Sequence, residues 1–140
     1  MKILLAVDGS PYTKKMLAYL ATHDELFGPQ NTFTIFTAVA ALPPRARSAV
    51  GADIARGYYK DEASKVHAPV SKFLSRHGIK AEICHEVGAA GELIAKAAEK
   101  GHCDLVMMGS HGHGAFGSLV MGSVATRVLA HCKVPVLLVR

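Results

Sequence analysis

The sequence predicts an α/β domain with a mainly parallel sheet. Lys2–Val7 is a continuous apolar run typical of a strand buried on both faces, and the short apolar runs Asp104–Met108 and Val134–Val139 predict further strands. Between such runs, apolar residues recur at helical spacing, and strands that alternate with helices form βαβ units with right-handed crossovers. The 140 residues match one ordinary domain, so we expect a single domain over 1–140.

The first half of the chain contains two predicted strands and one predicted helix. After the first strand, Ser10 is a favoured N-cap and a proline follows it, so a helix is predicted over Pro11–Leu26. β-branched and aromatic residues predict the second strand over Thr32–Ala40. The segment Pro43–Gly57 has no clear period, and we expect a loop or lid there.

The second half repeats the pattern. Apolar spacing predicts a helix over Tyr58–His77, and alternation over Ile79–Val87 predicts a half-exposed strand. A short helix is predicted over Gly91–Lys100, followed by the fourth strand. Apolar residues from Leu119 onwards, including Val120, predict a last helix that ends near His131.

The last strand is predicted to lie at an edge of the sheet. Pro135 falls within Val134–Val139 and cannot donate a hydrogen bond to a neighbouring strand. An apolar strand at a free edge favours association unless something covers it. A second copy of the chain is the simplest cover, which predicts a homodimer.

The stretch from Gly109 to Ser123 reads GSHGHGAFGSLVMGS and holds five glycines. It follows a predicted strand and precedes a predicted helix, where ligands of parallel sheets bind. Glycines let the backbone approach a ligand closely, and the amides at a helix start attract anions. The position predicts a site for an anion or a nucleotide.

Two common nucleotide motifs do not fit. Gly112, Gly114 and Gly117 satisfy GxGxxG, but that fingerprint belongs to the first strand–helix turn and needs an acidic residue about 20 residues later. The chain after Gly117 holds no Asp or Glu, so we reject a dinucleotide site. The Walker pattern is also absent, because no Lys lies between Gly109 and Lys133.

The residues match a different motif. Gly109, Gly112, Gly122 and Ser123 spell G-x2-G-x9-G-[ST], which resembles the ATP-binding signature of the universal stress proteins. The resemblance extends along the whole chain, through ILLAVDGS, DLVMMGSHG and VPVLLV. It implies a Rossmann-like open sheet of five parallel strands in the order 3-2-1-4-5, with helices on both faces, and a homodimer formed through the last strand.

The resemblance also implies roles for particular residues. Asp8 would face the ribose, Ala38 would recognise adenine through its backbone, and the glycine-rich loop would wrap the ribose and phosphates. The nucleotide-binding residues implied are Ala6, Val7, Asp8, Ala38, Met108, Gly109, Ser110, His111, Gly112, His113, Gly114, Ala115, Gly122, Ser123, Val124 and Ala125. The expected ligand is ATP with Mg²⁺, a hard cation that takes phosphate oxygens.

The expected activity is that of a nucleotide-responsive binding protein in a stress response. No general base for hydrolysis is evident, and no catalytic residue is assigned. Two alternatives stay open: a slow ATPase or adenylyl-transfer relative, and a member that binds AMP or cyclic AMP.

Composition excludes other classes. The formal charge of +5 comes from scattered residues, without the basic runs or interleaved aromatics of a nucleic-acid-binding surface. No apolar run reaches the ~18 residues of a membrane span, and we expect a cytoplasmic protein. Cys84, Cys103 and Cys132 lack a CxxC pair and are expected to be reduced core residues. His111 and His113 lack a third ligand, so no metal site is expected.

Overall fold

The computed structural model describes residues 1–114 and 120–140. All paired strands in its five-stranded sheet are parallel, and their order is β3-β2-β1-β4-β5. The strands are β1 (Lys2–Ala6), β2 (Thr32–Val39), β3 (Ala81–Val87), β4 (Leu105–Gly109) and β5 (Val136–Val139). The predicted fold class and strand order are confirmed.

Helices cover both faces of this sheet. They are α1 (Pro11–Thr22), α2 (Asp24–Phe27), α3 (Pro44–Val50), α4 (Ala52–Arg76), α5 (Ala90–Lys100) and α6 (Ser123–His131). In β1, Ile3 and Leu5 pack with α1 and α4, whereas Leu4 packs with α5 and α6. Because neighbouring residues of a strand point to opposite faces, both faces need apolar side chains, which is why β1 is a continuous apolar run.

The prediction of a loop over Pro43–Gly57 is wrong, because this segment forms α3 and the start of α4. Gly51, with φ of 81°, makes the turn between the two helices. Gly57 lies within α4 at an exposed position. The glycines interrupt the apolar period, but a single exposed glycine in a long helix costs only about 1 kcal/mol.

Two helix boundaries also differ from prediction. The helix predicted over Pro11–Leu26 ends at Thr22, and α2 begins after the break at His23. The last helix starts at Ser123, so Val120 precedes it, and Leu119 lies outside the described residues.

β5 lies at one edge of the sheet, as predicted, but Pro135 directly precedes the strand instead of lying within it. The Pro135 carbonyl accepts a hydrogen bond from the Val106 amide at 2.9 Å. The Pro135 carbonyl therefore takes part in the sheet, and the N–H group that proline lacks is not needed there because β5 begins one residue later.

β3 forms the opposite edge and is more exposed than predicted. Six of its seven residues are exposed, and Ile83 retains 51% of its accessible surface. Cys84 is therefore exposed, so its assignment to the core is wrong, whereas Cys103 and Cys132 are half-buried and pack against the core on the α5–α6 face. All three are free thiols. No helix in the described part of the chain is long and apolar enough to cross a membrane.

Candidate nucleotide-binding site

A cleft of about 260 Å³ opens at the carboxyl ends of the central strands. Its floor comes from β1, β2 and β4, and its walls from the loop after β4 and from α5 and α6. From β1 the chain continues to β2 on one side, and later crosses to β4 on the other. Ligands of open parallel sheets bind at such a reversal of strand order.

One half of the cleft is apolar. Ala6 and Val7 from the end of β1, Ala38 from β2 and Met108 from β4 line it, as the sequence suggested. The structure adds four residues that sequence reasoning missed: Thr13, Phe36, Ala90 and Ile94. Phe36 was detectable in principle, because it lies two residues before Ala38 and so shares its face of β2. The position of Ile94 at the cleft could not be predicted without knowing how α5 packs on the sheet.

The turn between β1 and α1 is closed by its own side chains. Asp8 Oδ1 accepts hydrogen bonds from the Ser10 amide at 2.9 Å and from Thr13 Oγ1 at 3.0 Å. Thr13 Oγ1 also accepts the Asp8 amide at 3.2 Å. The second carboxylate oxygen, Oδ2, faces Gly112, where an added Cβ would lie only 2.8 Å from it. Asp8 therefore positions the turn with one oxygen and presents the other towards the glycine-rich loop.

Ser10 is the N-cap residue of α1, but its hydroxyl makes no capping bond. The residue is fully buried, and Ser10 Oγ has no hydrogen-bond partner within the described part of the chain. Asp8 accepts the amide of this N-cap residue and so fixes the chain just before α1.

Two glycines of the motif pack tightly against the protein's own backbone. A Cβ at Gly109 would lie 2.5 Å from Tyr12 Cβ, so a side chain here would displace the first turn of α1 from β4. A Cβ at Gly122 would lie 3.0 Å from His111 Cα and from the Ser110 carbonyl oxygen. The Gly122 amide also donates to that carbonyl at 2.8 Å.

The loop between these glycines reaches back across the cleft. His113 Nε2 lies 2.8 Å from the Asp8 carbonyl oxygen, 105 residues away in the chain. Because a carbonyl only accepts, Nε2 carries the proton. Gly114 adopts φ of 74°, the left-handed region that glycine tolerates best.

Ser110 differs from the other implied site residues. It is 2% exposed and does not line the cleft; its amide donates to the Val139 carbonyl and its Oγ lies 2.8 Å from His111 Nδ1. It joins the loop to β5. His111 does line the cleft, with its ring 4.9 Å from that of Tyr12. Ala115 lies outside the described residues.

The start of α6 supplies hydrogen-bond donors to the cleft. The first bond of this helix runs from the Thr126 amide to the Gly122 carbonyl. In the regular helical pattern the amides of Ser123, Val124 and Ala125 therefore have no acceptor within the helix. All three residues line the cleft, so the positive end of the α6 dipole lies beside it.

Charged side chains are few at this site. Among the described lining residues, the titratable ones are Asp8, His111 and His113, and none is Lys or Arg. The sequence of residues 115–119 adds no Lys or Arg. Within the described part of the chain, no three His, Cys, Asp or Glu side chains are grouped to hold a metal ion. An anion here would depend on amides and hydroxyls.

Comparison with known proteins decides the family. The model of the universal stress protein family matches residues 1–140. The chain belongs to this family. A universal stress protein of Synechocystis is 30% identical over 139 residues, which cover 99% of this chain but 42% of that protein. A universal stress protein of Thermus aquaticus is also 30% identical over 139 residues, and the match covers 97% of its length.

Solved structures of the family share the fold. UspA from Lactobacillus plantarum has a TM-score of 0.80 at 17% identity, with 100% of this chain and 97% of that chain covered. An Arabidopsis thaliana family protein with AMP bound has a TM-score of 0.70 at 13% identity, covering 99% and 90%. A universal stress protein in complex with cAMP has a TM-score of 0.69 at 20% identity, covering 100% and 97%.

Proposed function

We propose that this universal stress protein binds ATP with Mg²⁺ in the cleft and acts as a nucleotide-responsive binding protein. One observation carries the proposal: an apolar pocket, suited to a base, adjoins the amide donors at the start of α6, suited to phosphates. The bound AMP and cAMP of the two related structures support an adenine nucleotide as the ligand class.

The arrangement suggests a position for each part of the nucleotide. Adenine would lie between Ala38, Ile94 and Met108, and the ribose would lie near Asp8 Oδ2. The phosphates would meet the amides of Ser123 and Val124. Mg²⁺ would be held by phosphate oxygens and water, because the described lining offers a single carboxylate.

The charge of the site sets the expected affinity. Without a Lys or Arg, binding depends on amides, hydroxyls, the helix dipole and the buried base. We expect a dissociation constant of micromolar order, which corresponds to a binding free energy of about −8 kcal/mol. AMP and cyclic AMP are the second candidates. They carry less negative charge than ATP, which suits a cleft whose described lining has no Lys or Arg.

The proposal includes a homodimer formed through β5. This strand lies at a free edge of the sheet, and its four residues are half-buried. An apolar edge strand pairs readily with another chain. Sedimentation velocity at several protein concentrations tests this part: a dimer that Leu137→Lys converts to a monomer supports it, and a monomeric wild-type protein overturns it.

A calorimetric panel tests the ligand. The protein is first stripped of any bound nucleotide by unfolding and refolding, then titrated with ATP, AMP, cyclic AMP and GTP, each with Mg²⁺. Binding of ATP at micromolar concentration and weak or no binding of GTP support the proposal. Tighter binding of AMP or cyclic AMP supports the second candidate. No heat with any adenine nucleotide overturns both. Release of phosphate from ATP over hours would show the slow ATPase alternative.

A further inference from the structure

The helices α3 and α4 expose an apolar surface on the side of the molecule that the sequence predicted to be a loop. Val50, Ile54 and Tyr58 are 38%, 65% and 43% exposed. Ile54 and Tyr58 lie four residues apart in α4 and so share one stripe of the helix. Val50 ends α3 beside them. We name these three residues the α3–α4 patch; exposed apolar residues grouped in this way are candidates for an interaction site.

A shallow groove lies at the start of the same two helices. It is lined by Leu42 and Pro43 from the chain between β2 and α3, by Pro44 and Arg47 of α3, and by Gly51 of the following turn. The groove and the nucleotide cleft share no lining residue among those described. Its walls are mostly apolar, and Arg47 places a cation within it.

The basic charge near the patch is concentrated on α3. This helix carries Arg45 and Arg47 and no acidic residue, whereas α4 adds Arg56 and Lys60 but also Asp53, Asp61 and Glu62. Arg56 lies 3.4 Å from Asp53, but both side chains are largely exposed, so water weakens this pair.

α3 packs only loosely on the rest of the protein. Six of its seven residues are exposed and Ala46 is half-buried. A helix this short is not stable by itself in water. It is held through its contact with α4 and through Tyr59, whose hydroxyl oxygen accepts the Leu42 amide at 3.0 Å. Docking against α3 would add apolar contacts that the isolated chain lacks.

We propose that the α3–α4 patch and its groove bind a segment of a partner protein that carries apolar and acidic side chains together. The apolar side chains would cover Ile54 and Tyr58 and enter the groove, and the carboxylates would meet Arg45 and Arg47. The pairing of an apolar stripe with only two cations on α3 favours a protein segment over an anionic membrane surface, which polybasic segments attract. The apolar stripe favours it over a nucleic acid, whose phosphates would leave Ile54 uncovered.

Selection from a displayed library of random 12-residue peptides tests this proposal. It is carried out without nucleotide, so that a failure of the cleft to bind ATP does not affect the result. We expect enriched peptides to combine acidic and apolar residues. Their affinity, measured by fluorescence anisotropy, should fall at least tenfold with Ile54→Asp and with Arg47→Glu.

Matched variants separate the surface from general effects. Leu26→Asp changes an apolar residue that is 59% exposed on α2, and Lys96→Glu reverses an exposed charge on α5. Both should leave peptide affinity unchanged, and all four variants should melt within a few degrees of wild type. Failure to enrich such peptides, or equal binding by Ile54→Asp, overturns the proposal. Binding instead to phosphatidylserine vesicles or to polyadenylate, lost in the same two variants, overturns it in favour of a membrane or RNA.

Discussion

The two connections that frame the cleft present different groups to it. In the turn from β1 to α1, the side chains of Asp8 and Thr13 bond to each other and to the Ser10 amide, and Tyr12 in the first turn of α1 does not line the cleft. In the connection from β4 to α6, the amides of Ser123 and Val124 face the cleft without acceptors in their helix. Backbone that is not satisfied internally is available to a ligand, so the second connection is the expected phosphate site.

The glycines of the second connection also have different roles. A Cβ at Gly109 would overlap Tyr12, and one at Gly122 would lie 3.0 Å from His111 Cα, a tighter contact than most Cβ atoms make. Gly112 faces Asp8 Oδ2, and no described atom lies within 4 Å of a Cβ added at Gly114. The motif therefore combines two glycines packed tightly against the backbone with two that border the mouth of the cleft.

The largest expected effect is on stability. Gly109→Ala places a methyl group 2.5 Å from Tyr12 Cβ and should lower the free energy of unfolding by about 1–3 kcal/mol, as overpacking does. Urea denaturation measures it. Gly57→Ala, within α4, is the matched control, because no described atom lies within 4 Å of a Cβ added there. This variant should raise the free energy of unfolding by about 0.5–1 kcal/mol, since alanine favours a helix over glycine. Equal stability of both variants would show that Gly109 is not required for packing.

Asp8→Asn tests the division between the two carboxylate oxygens. The amide oxygen can replace Oδ1 in the turn, so stability should change by less than about 1 kcal/mol. The amide nitrogen cannot accept a ribose hydroxyl in place of Oδ2, so ATP affinity should fall roughly 10- to 100-fold. Calorimetry and urea denaturation provide the two values. In the comparison variant Thr13→Val, the free energy of unfolding should fall more than the free energy of ATP binding does.

Ser123→Ala tests the second connection with a smaller change. The Ser123 side chain is exposed and α6 has no side-chain cap, so stability should not change. Loss of one hydroxyl bond to phosphate should weaken ATP binding by about 0.5–1.5 kcal/mol, roughly two- to tenfold. Thr126→Ala, one turn into the same helix, is the control. An affinity unaffected by Ser123→Ala would place the phosphates elsewhere.

The free energy of unfolding should depend on pH through His67, which lies in α4 and in neither of the two connections. Burial, and then the charge of His85, lowers the pKa of His67, whose Nε2 has no partner among the described residues. The unfolded chain, with a His pKa near 6.5, then binds more protons than the fold below about pH 6.5, so stability falls as pH falls from there. The slope should be at most about 1.4 kcal/mol per pH unit for one histidine. Urea denaturation at pH 5 to 8 should show a smaller slope for His67→Gln than for the wild-type protein, and an equal slope would contradict this assignment.

The sequence predicted the parts of the fold that depend on local pattern. Continuous apolar runs identified β1 and β4, and the glycine motif located the loop after β4. The helix boundaries at Gly51 and His23 are made by local features that apolar periodicity does not register: the positive φ of Gly51 and the contact of His23 Nδ1 with the Tyr19 carbonyl oxygen.

The same distinction applies to the candidate site. The residues carried by the motif line the cleft, apart from the buried Ser110 and from Ala115, which lies outside the described residues. Ile94 and Thr13 were missed because they reach the cleft from helices whose packing the sequence does not specify. The exposure of Cys84 was missed for a related reason: alternation in a strand does not tell whether a helix covers either face.

The measurement that tests the central claim most directly is calorimetric titration of Ala38→Leu with ATP and Mg²⁺. Ala38 lies on the apolar side of the cleft, and a larger side chain there would occupy the proposed position of adenine without disturbing the glycines. Thr34→Leu, on the same face of β2 but outside the lining of the cleft, is the matched control. We predict micromolar binding by wild type and Thr34→Leu, and at least a tenfold loss in Ala38→Leu. Equal binding by Ala38→Leu would contradict the assignment of the cleft as the adenine site.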